Sequence, residues 1–73
     1  MAKPVRLTRR QEDALWCFGD QGMNARETAD MMLITKATAQ GYANQLRRIF
    51  GVEATRHLVP HARRYFDRAR RPD

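Results

Sequence analysis

The sequence predicts an all-α domain of four helices, and three observations predict it. Apolar residues recur at three- and four-residue spacing in four separate segments. Each segment is bracketed by helix-capping or helix-stopping residues. No stretch shows the strict alternation of a half-buried strand. At 73 residues the chain is one small domain, and a fold of that size buries only about 60% of the surface its unfolded chain exposes. A single Cys excludes an internal disulfide. Stability then has to come from well-packed helices or from a partner subunit.

Residues 1–6 read as a short basic arm, carrying Lys3, Pro4 and Arg6 ahead of any periodic pattern. The domain proper runs over 7–67. Thr8 and Gln11 have capping-box spacing, so Thr8 accepts from the Gln11 amide while the Gln11 side chain reaches back. Ala14, Leu15 and Phe18 form the first apolar stripe, widened by Trp16 or Cys17, and Gly19 and Gly22 bracket the end of this helix. Asn24 and Glu27 mark a second start. Its inner face is Ala25, Thr28, Ala29 and Met32, and the helix stops near Met32-Leu33.

Thr35 caps the third helix, whose core stripe is Ala39, Tyr42 or Ala43, Leu46, Ile49 and Phe50, with Gly51 as its stop. Thr55 is expected to cap the fourth, which carries Leu58, Val59, Ala62, Tyr65, Phe66 and Ala69. Pro60 complicates that start. Either the helix begins at Pro60, or 56–59 is a loose first turn that bends there. Residues 68–73 read as a basic, fraying tail.

The charge balance points to a partner. Fourteen Lys and Arg against eight Asp and Glu leave a net +6, and only Lys3 and Lys36 are lysine, the other twelve being arginine. Arginine presents a fixed fork of donors suited to phosphate oxygens. Nucleic acid is therefore the expected partner, ahead of an anionic membrane surface or an acidic protein. There is no 18-residue apolar run and no secretory signal pattern, so no membrane association and a cytoplasmic, nucleoid-associated location are expected.

Enzymatic chemistry is not expected. The chain has no Ser, Cys17 sits in the apolar run Leu15-Trp16-Cys17-Phe18, and the carboxylates Glu12, Asp13, Asp20, Glu27 and Asp30 are dispersed. His57 and His61 share a helix face, but two ligands without a third make a poor metal site. No catalytic residue, cofactor or metal is expected.

A short helix and a longer one joined by a tight turn form the helix-turn-helix layout. On the polar side of the third helix Gln40 and Asn44 lie four apart, with Gly41 between them allowing close backbone approach. Amide side chains can bond bidentately to the adenine edge in the major groove. Lys36 and Thr38 precede the pair, and Arg47 and Arg48 follow it, an order that suits a phosphate–base–phosphate track. Arg63, Arg64, Arg68, Arg70 and Arg71 either touch phosphate as well or form a solvated basic face.

These residues resemble the LuxR/GerE-type helix-turn-helix domain over about 7–62. The opening Leu-Thr-x-Arg-Glu of that family is similar to Leu7-Thr8-Arg9-Arg10-Gln11, followed by Ala14-Leu15. Its Gly-x-Ser-Asn-x-Glu-Ile-Ala stretch resembles Gly22-Met23-Asn24-Ala25-Arg26-Glu27-Thr28-Ala29. Its Leu-x-Ile-Ser-x-x-Thr-Val run resembles Met32-Leu33-Ile34-Thr35-Lys36-Ala37-Thr38-Ala39, and its Leu-Gly-Val resembles Phe50-Gly51-Val52, with Leu58-Val59 following.

The resemblance implies a four-helix fold whose third helix enters the major groove and whose fourth supports dimerisation. By position it implies base contacts from Gln40, Gly41 and Asn44, and phosphate contacts near Thr35, Lys36, Thr38 and Arg48. The chain departs from the family pattern by one extra residue between Leu15 and Gly22, by Ile49 where a lysine is usual, by Tyr42 for a histidine, and by Gln40 for a base-reading lysine. Starting at Met1 with six residues ahead of the domain, it resembles the stand-alone members; with no built-in sensor, its regulation is expected to come from abundance, dimerisation or a masking partner.

The expected function is thus a double-stranded-DNA-binding transcription regulator acting as a homodimer. Its dimer contact is drawn from Leu58, Val59, Ala62, Tyr65 and Phe66, unless that stripe simply closes the monomer core. The alternative is an interaction module of the same fold that binds RNA polymerase or another regulator, supported by Ile49 and by Trp16, Tyr65 and Phe66 as exposed aromatics.

Overall fold

The computed structural model describes residues 6–70, with side chains through Asp67. The arm before Arg6, the tail from Arg71, and the side chains of Arg68, Ala69 and Arg70 lie outside the described residues. Among those described, all regular structure is helical: α1 (Arg9–Leu15) running into a π segment (Trp16–Asp20), α2 (Ala25–Met32), α3 (Lys36–Phe50), a 3₁₀ turn (Thr55–His57) and α4 (Leu58–Arg70). No helix among these residues is long and apolar enough to cross a membrane.

Local chemistry starts three of the four helices where expected. The Thr8 hydroxyl accepts from the Gln11 amide at 3.2 Å, while Thr8 N–H donates to Gln11 Oε1 at 3.0 Å. Asn24 and Glu27 repeat that exchange at 2.8 and 3.0 Å. Thr35 accepts from the Thr38 amide at 3.1 Å. Each such cap satisfies an otherwise orphaned donor and stabilises its helix by about 1 kcal/mol. Gly51, at φ +69°, ends α3.

The core is built largely from small side chains: Ala14, Ala29, Ala39, Ala43 and Ala62, with Leu15, Cys17, Phe18, Met32, Leu46 and Leu58 filling the space between them. Of the alternatives in α3, Ala43 is buried and Tyr42 half-buried. Ile49, expected in the stripe, is 40% exposed. Residues 39, 43, 46 and 50 keep the three- and four-residue rhythm, and position 49 falls about 100° off it.

The first helix differs most from expectation. Gly19 does not bracket its end; it lies buried inside the π segment. A Cβ at Gly19 would meet the Ala62 Cβ at 2.2 Å and the Leu58 carbonyl oxygen at 3.2 Å, so glycine lets α4 rest directly on the α1 backbone. Termination falls to Gly22, at φ +64°, with Gln21 N–H donating to the Trp16 carbonyl and Met23 N–H to the Cys17 carbonyl.

The start of α4 also departs from expectation. Thr55 is the first residue of the 3₁₀ turn and not a cap; the preceding extended residue is Ala54, which makes no side-chain capping bond. The 3₁₀ turn leads directly into α4, and His57 N–H donates to the Ala54 carbonyl at 3.0 Å. Pro60 is the third residue of α4, within the first turn, where its missing N–H costs least. The helix therefore begins before Pro60.

The α2–α3 turn carries strain. Leu33 sits in the left-handed region (φ 58°, ψ 46°) with its side chain 92% exposed. A non-glycine residue there costs about 1 kcal/mol.

Two substitutions test this fold by denaturant unfolding. Gly19→Ala should lower stability by roughly 1–3 kcal/mol or more, because the new methyl meets backbone and a fixed Cβ rather than a flexible side chain. Leu33→Gly should leave stability unchanged or raise it by up to about 1 kcal/mol, since no packing is lost and the left-handed penalty disappears.

Candidate nucleic-acid interface

The buried stripe of α3 faces α1, α2 and α4, leaving the opposite side of a fifteen-residue helix in solvent. That side carries Lys36, Thr38, Gln40, Asn44 and Arg48, all exposed, with Gly41 half-buried among them. A Cβ at Gly41 would meet nothing within 4 Å, so no packing contact demands glycine there. Its lack of a side chain leaves the outer surface of α3 low at that point. The helix contains no carboxylate. At its N-terminus the positive end of the helix dipole and the Lys36 cation add to each other.

The side chains on this face are ordered by one another. The Thr35 hydroxyl donates to Thr38 Oγ1 at 2.9 Å. Gln40 Nε2 donates to Asn44 Oδ1 at 3.3 Å, and Arg47 Nη2 donates to the same oxygen. Arg47 Nη1 donates to the Glu53 carbonyl at 3.0 Å, beyond the end of the helix. Of the two adjacent cations, Arg48 is exposed, whereas Arg47 is half-buried with its guanidinium bonded to Asn44 and to the Glu53 carbonyl. Proximity in sequence conceals this, because consecutive helical positions point about 100° apart.

Two residues that the sequence does not point to as part of this face belong to it, one of them, Tyr42, expected instead as an alternative in the core stripe. Tyr42 and Gln45 join Thr38 and Gly41 around a shallow depression of about 270 Å³. Gln45 also accepts from Gln11 Nε2 at 3.2 Å, tying the face to the first turn of α1. Their helical register relative to Gly41 was the available signal.

The α4 stripe is corrected in part. Leu58 and Ala62 are fully buried within the monomer and have no surface to offer a second copy. Val59, Tyr65 and Phe66 are half-buried. The Tyr65 hydroxyl donates to Glu12 Oε2 at 2.7 Å, and its ring meets Phe66 edge-on at 5.3 Å. Trp16, Tyr65 and Phe66 are accordingly not exposed aromatics but flank the core. Among the described residues the large apolar side chains in solvent are Met31, Leu33 and Ile49. The first two border a second pocket of about 350 Å³, lined also by Arg10, Asp13, Trp16, Cys17 and Met32. There Arg10 Nη2 donates to the Met32 carbonyl at 3.1 Å, a cation placed at the negative end of α2.

The groups with conventional reactive chemistry are scattered. Burial, aided by the Asp13 charge, pushes the Cys17 thiol up, which disfavours the nucleophilic thiolate. His57 is exposed, and His61 lies against Phe50 with ring centroids 5.2 Å apart. Among the described residues no three His, Cys, Asp or Glu are grouped to hold a metal ion. Set against family models, curated proteins and solved structures, the chain matches none of them.

Burial, the hydrogen bond to Glu12 and the Glu12 charge together push the Tyr65 phenol up to about 12 from its ordinary 10. Its folded pKa is raised, so the stability it contributes is complete below pH 10 and is lost as pH rises toward about 12. Tyr65→Phe should remove that alkaline component and cost about 1 kcal/mol at neutral pH. Denaturant midpoints measured across the alkaline range check both.

Proposed function

We propose that the chain is a sequence-specific, double-stranded-DNA-binding transcription regulator of the LuxR/GerE helix-turn-helix type, and that it lays α3 in the major groove. The supporting observation is the outer face of α3: cations at both ends, amides in the middle, a low glycine between them and no carboxylate anywhere on the helix. A helix is about 10–12 Å across with its side chains, and the major groove is about 12 Å wide. In this reading Gln40, Gly41 and Asn44 meet base edges, and Thr35, Lys36, Thr38 and Arg48 meet phosphates. Arg47 holds the reading face in shape. A homodimer would use the part of α4 that the monomer leaves open, around Val59, Tyr65 and Phe66. Its half-sites would then lie roughly 10 base pairs, or a multiple of that, apart. The protein would work at the nucleoid in the cytoplasm.

A second reading draws on a different surface. Leu33 at 92% and Met31 at 56% exposure border the pocket beside Trp16, an apolar patch that a protein partner such as RNA polymerase or another regulator would cover. Salt separates the two readings. Binding through several phosphates weakens steeply as counterions compete, whereas an apolar interface does not.

The test is fluorescence-anisotropy titration of the folded chain with duplex DNA at about 50 and about 200 mM salt, where phosphate-dominated binding falls by orders of magnitude. Lys36→Ala should reduce the slope of log affinity against log salt by about 1. Gln40→Ala combined with Asn44→Ala should erase the preference for a selected duplex over a scrambled one while keeping non-specific binding. Folded protein that binds no duplex at low salt would turn the assignment to the protein-partner reading.

A further inference from the structure

We propose that Arg47 fixes the Asn44 amide with its donors turned outward, so that this position reads guanine instead of the adenine that a free amide would take. The inference rests on the DNA-reading assignment of α3 and deepens it. A guanidinium carries only N–H donors. The Asn44 atom that meets Arg47 Nη2 therefore has to be the carbonyl oxygen, and the orientation of the amide follows from its partner. Gln40 Nε2 donates to the same oxygen at 3.3 Å. A carbonyl oxygen has two lone pairs, and both are now engaged. What Asn44 has left for a ligand is Nδ2 with its two hydrogens.

The base edges then discriminate. Adenine requires a donor to N7 and an acceptor for its N6 amino group from one amide, and Asn44 lacks the second. Cytosine offers only a donor, and thymine a single acceptor beside a methyl group. Guanine presents two adjacent acceptors, N7 and O6, which suit an outward-facing NH₂. The brace belongs to the fold, not to the ligand. Arg47 is half-buried and held at its other nitrogen by the Glu53 carbonyl at 3.0 Å, while its Nε is buried without a partner. Arg47 is thus a positioning residue whose effect reaches the DNA through Asn44.

The experiment selects bound duplexes from a randomised pool with the full chain, then titrates the enriched duplex and its single-base variants. The wild-type chain should select guanine at the position that loses its preference in Asn44→Ala, and guanine-to-adenine replacement there should weaken binding by about tenfold or more. Arg47→Met keeps a long stem but frees one lone pair of Asn44 Oδ1 to accept from a base, so preference at that one position should move toward adenine. Because that change also releases the Glu53 carbonyl, thermal unfolding is recorded alongside. Asn44→Asp is the second variant: it keeps an acceptor for Arg47 and has no donor, so it should fold normally and lose the guanine preference.

Three results would overturn the orientation while leaving DNA reading intact. They are adenine at the Asn44-dependent position in the wild type, unchanged guanine preference in folded Arg47→Met, and retained guanine preference in Asn44→Asp. A pool that shows no enrichment with folded protein at low salt removes the DNA-reading assignment itself, and this inference with it.

Discussion

The fold depends on how closely α4 can approach the end of the first helix. Gly19 has no side chain, and Ala62 has almost none, so the two backbones meet where any larger pair would hold them apart. The π segment from Trp16 to Asp20 makes that contact possible by widening the helix by one residue per turn, which turns Gly19 inward beside Cys17 and Phe18. π segments are uncommon, and they persist where the surrounding packing rewards them. Here the reward is that Leu58 and Ala62 reach full burial. In a domain this small, where burial is limited by size, losing that one approach would loosen α4 on the first helix.

Features set by a few neighbouring residues were legible in the sequence. Thr8 with Gln11, Asn24 with Glu27, Thr35 and Gly51 each act within one turn of chain, so their spacing alone carries the information. The all-helical class and most of the alanine-and-leucine stripe follow for the same reason. What was not legible depends on contacts distant in sequence. Gly19 looked like a helix stop because its partner, Ala62, lies in α4. Tyr65 reads as an exposed aromatic in sequence because its hydroxyl partner, Glu12, is 53 residues away. Ile49 matched the apolar count of its helix but not its angle. The outward polar face of α3 was readable from periodicity, whereas the separate roles of Arg47 and Arg48 were not, since only the position of the Glu53 carbonyl distinguishes them.

Polar contacts connect that scaffold to its outer face. Gln11 completes the capping box of α1 and also reaches Gln45 on α3, so the first turn of the domain is tied to the rim of the exposed surface. From the other end, Glu53 holds Arg47, Arg47 holds Asn44, and Asn44 meets Gln40. Most of these bonds are exposed, and each contributes modestly to stability. Their larger effect is on orientation. Long amide side chains on a free helix sample many rotamers, and ordering them in advance lowers the entropic cost of meeting a ligand. A rigid scaffold that pre-sets a few polar side chains is what discrimination between similar partners requires.

The thinness of α3 serves both of its sides. Inward, Ala39 and Ala43 let α1, α2 and α4 pack close to its axis, while Leu46 and the half-buried Tyr42 and Phe50 supply the bulk. Outward, Ala37 and Gly41 keep the ridge low, so that Gln40 and Asn44 stand above it with Lys36 and Arg48 beyond them. A helix bulky on its outer side would keep its backbone several ångströms from any surface and reach it only with long, mobile side chains. A low ridge permits close backbone approach, and in the proposed DNA-reading role short amides would then suffice to reach a base edge. Glycine in a helix interior costs about 1 kcal/mol relative to alanine. No packing contact around Gly41 accounts for that cost; under the proposed DNA-reading role, close docking of the outer face would.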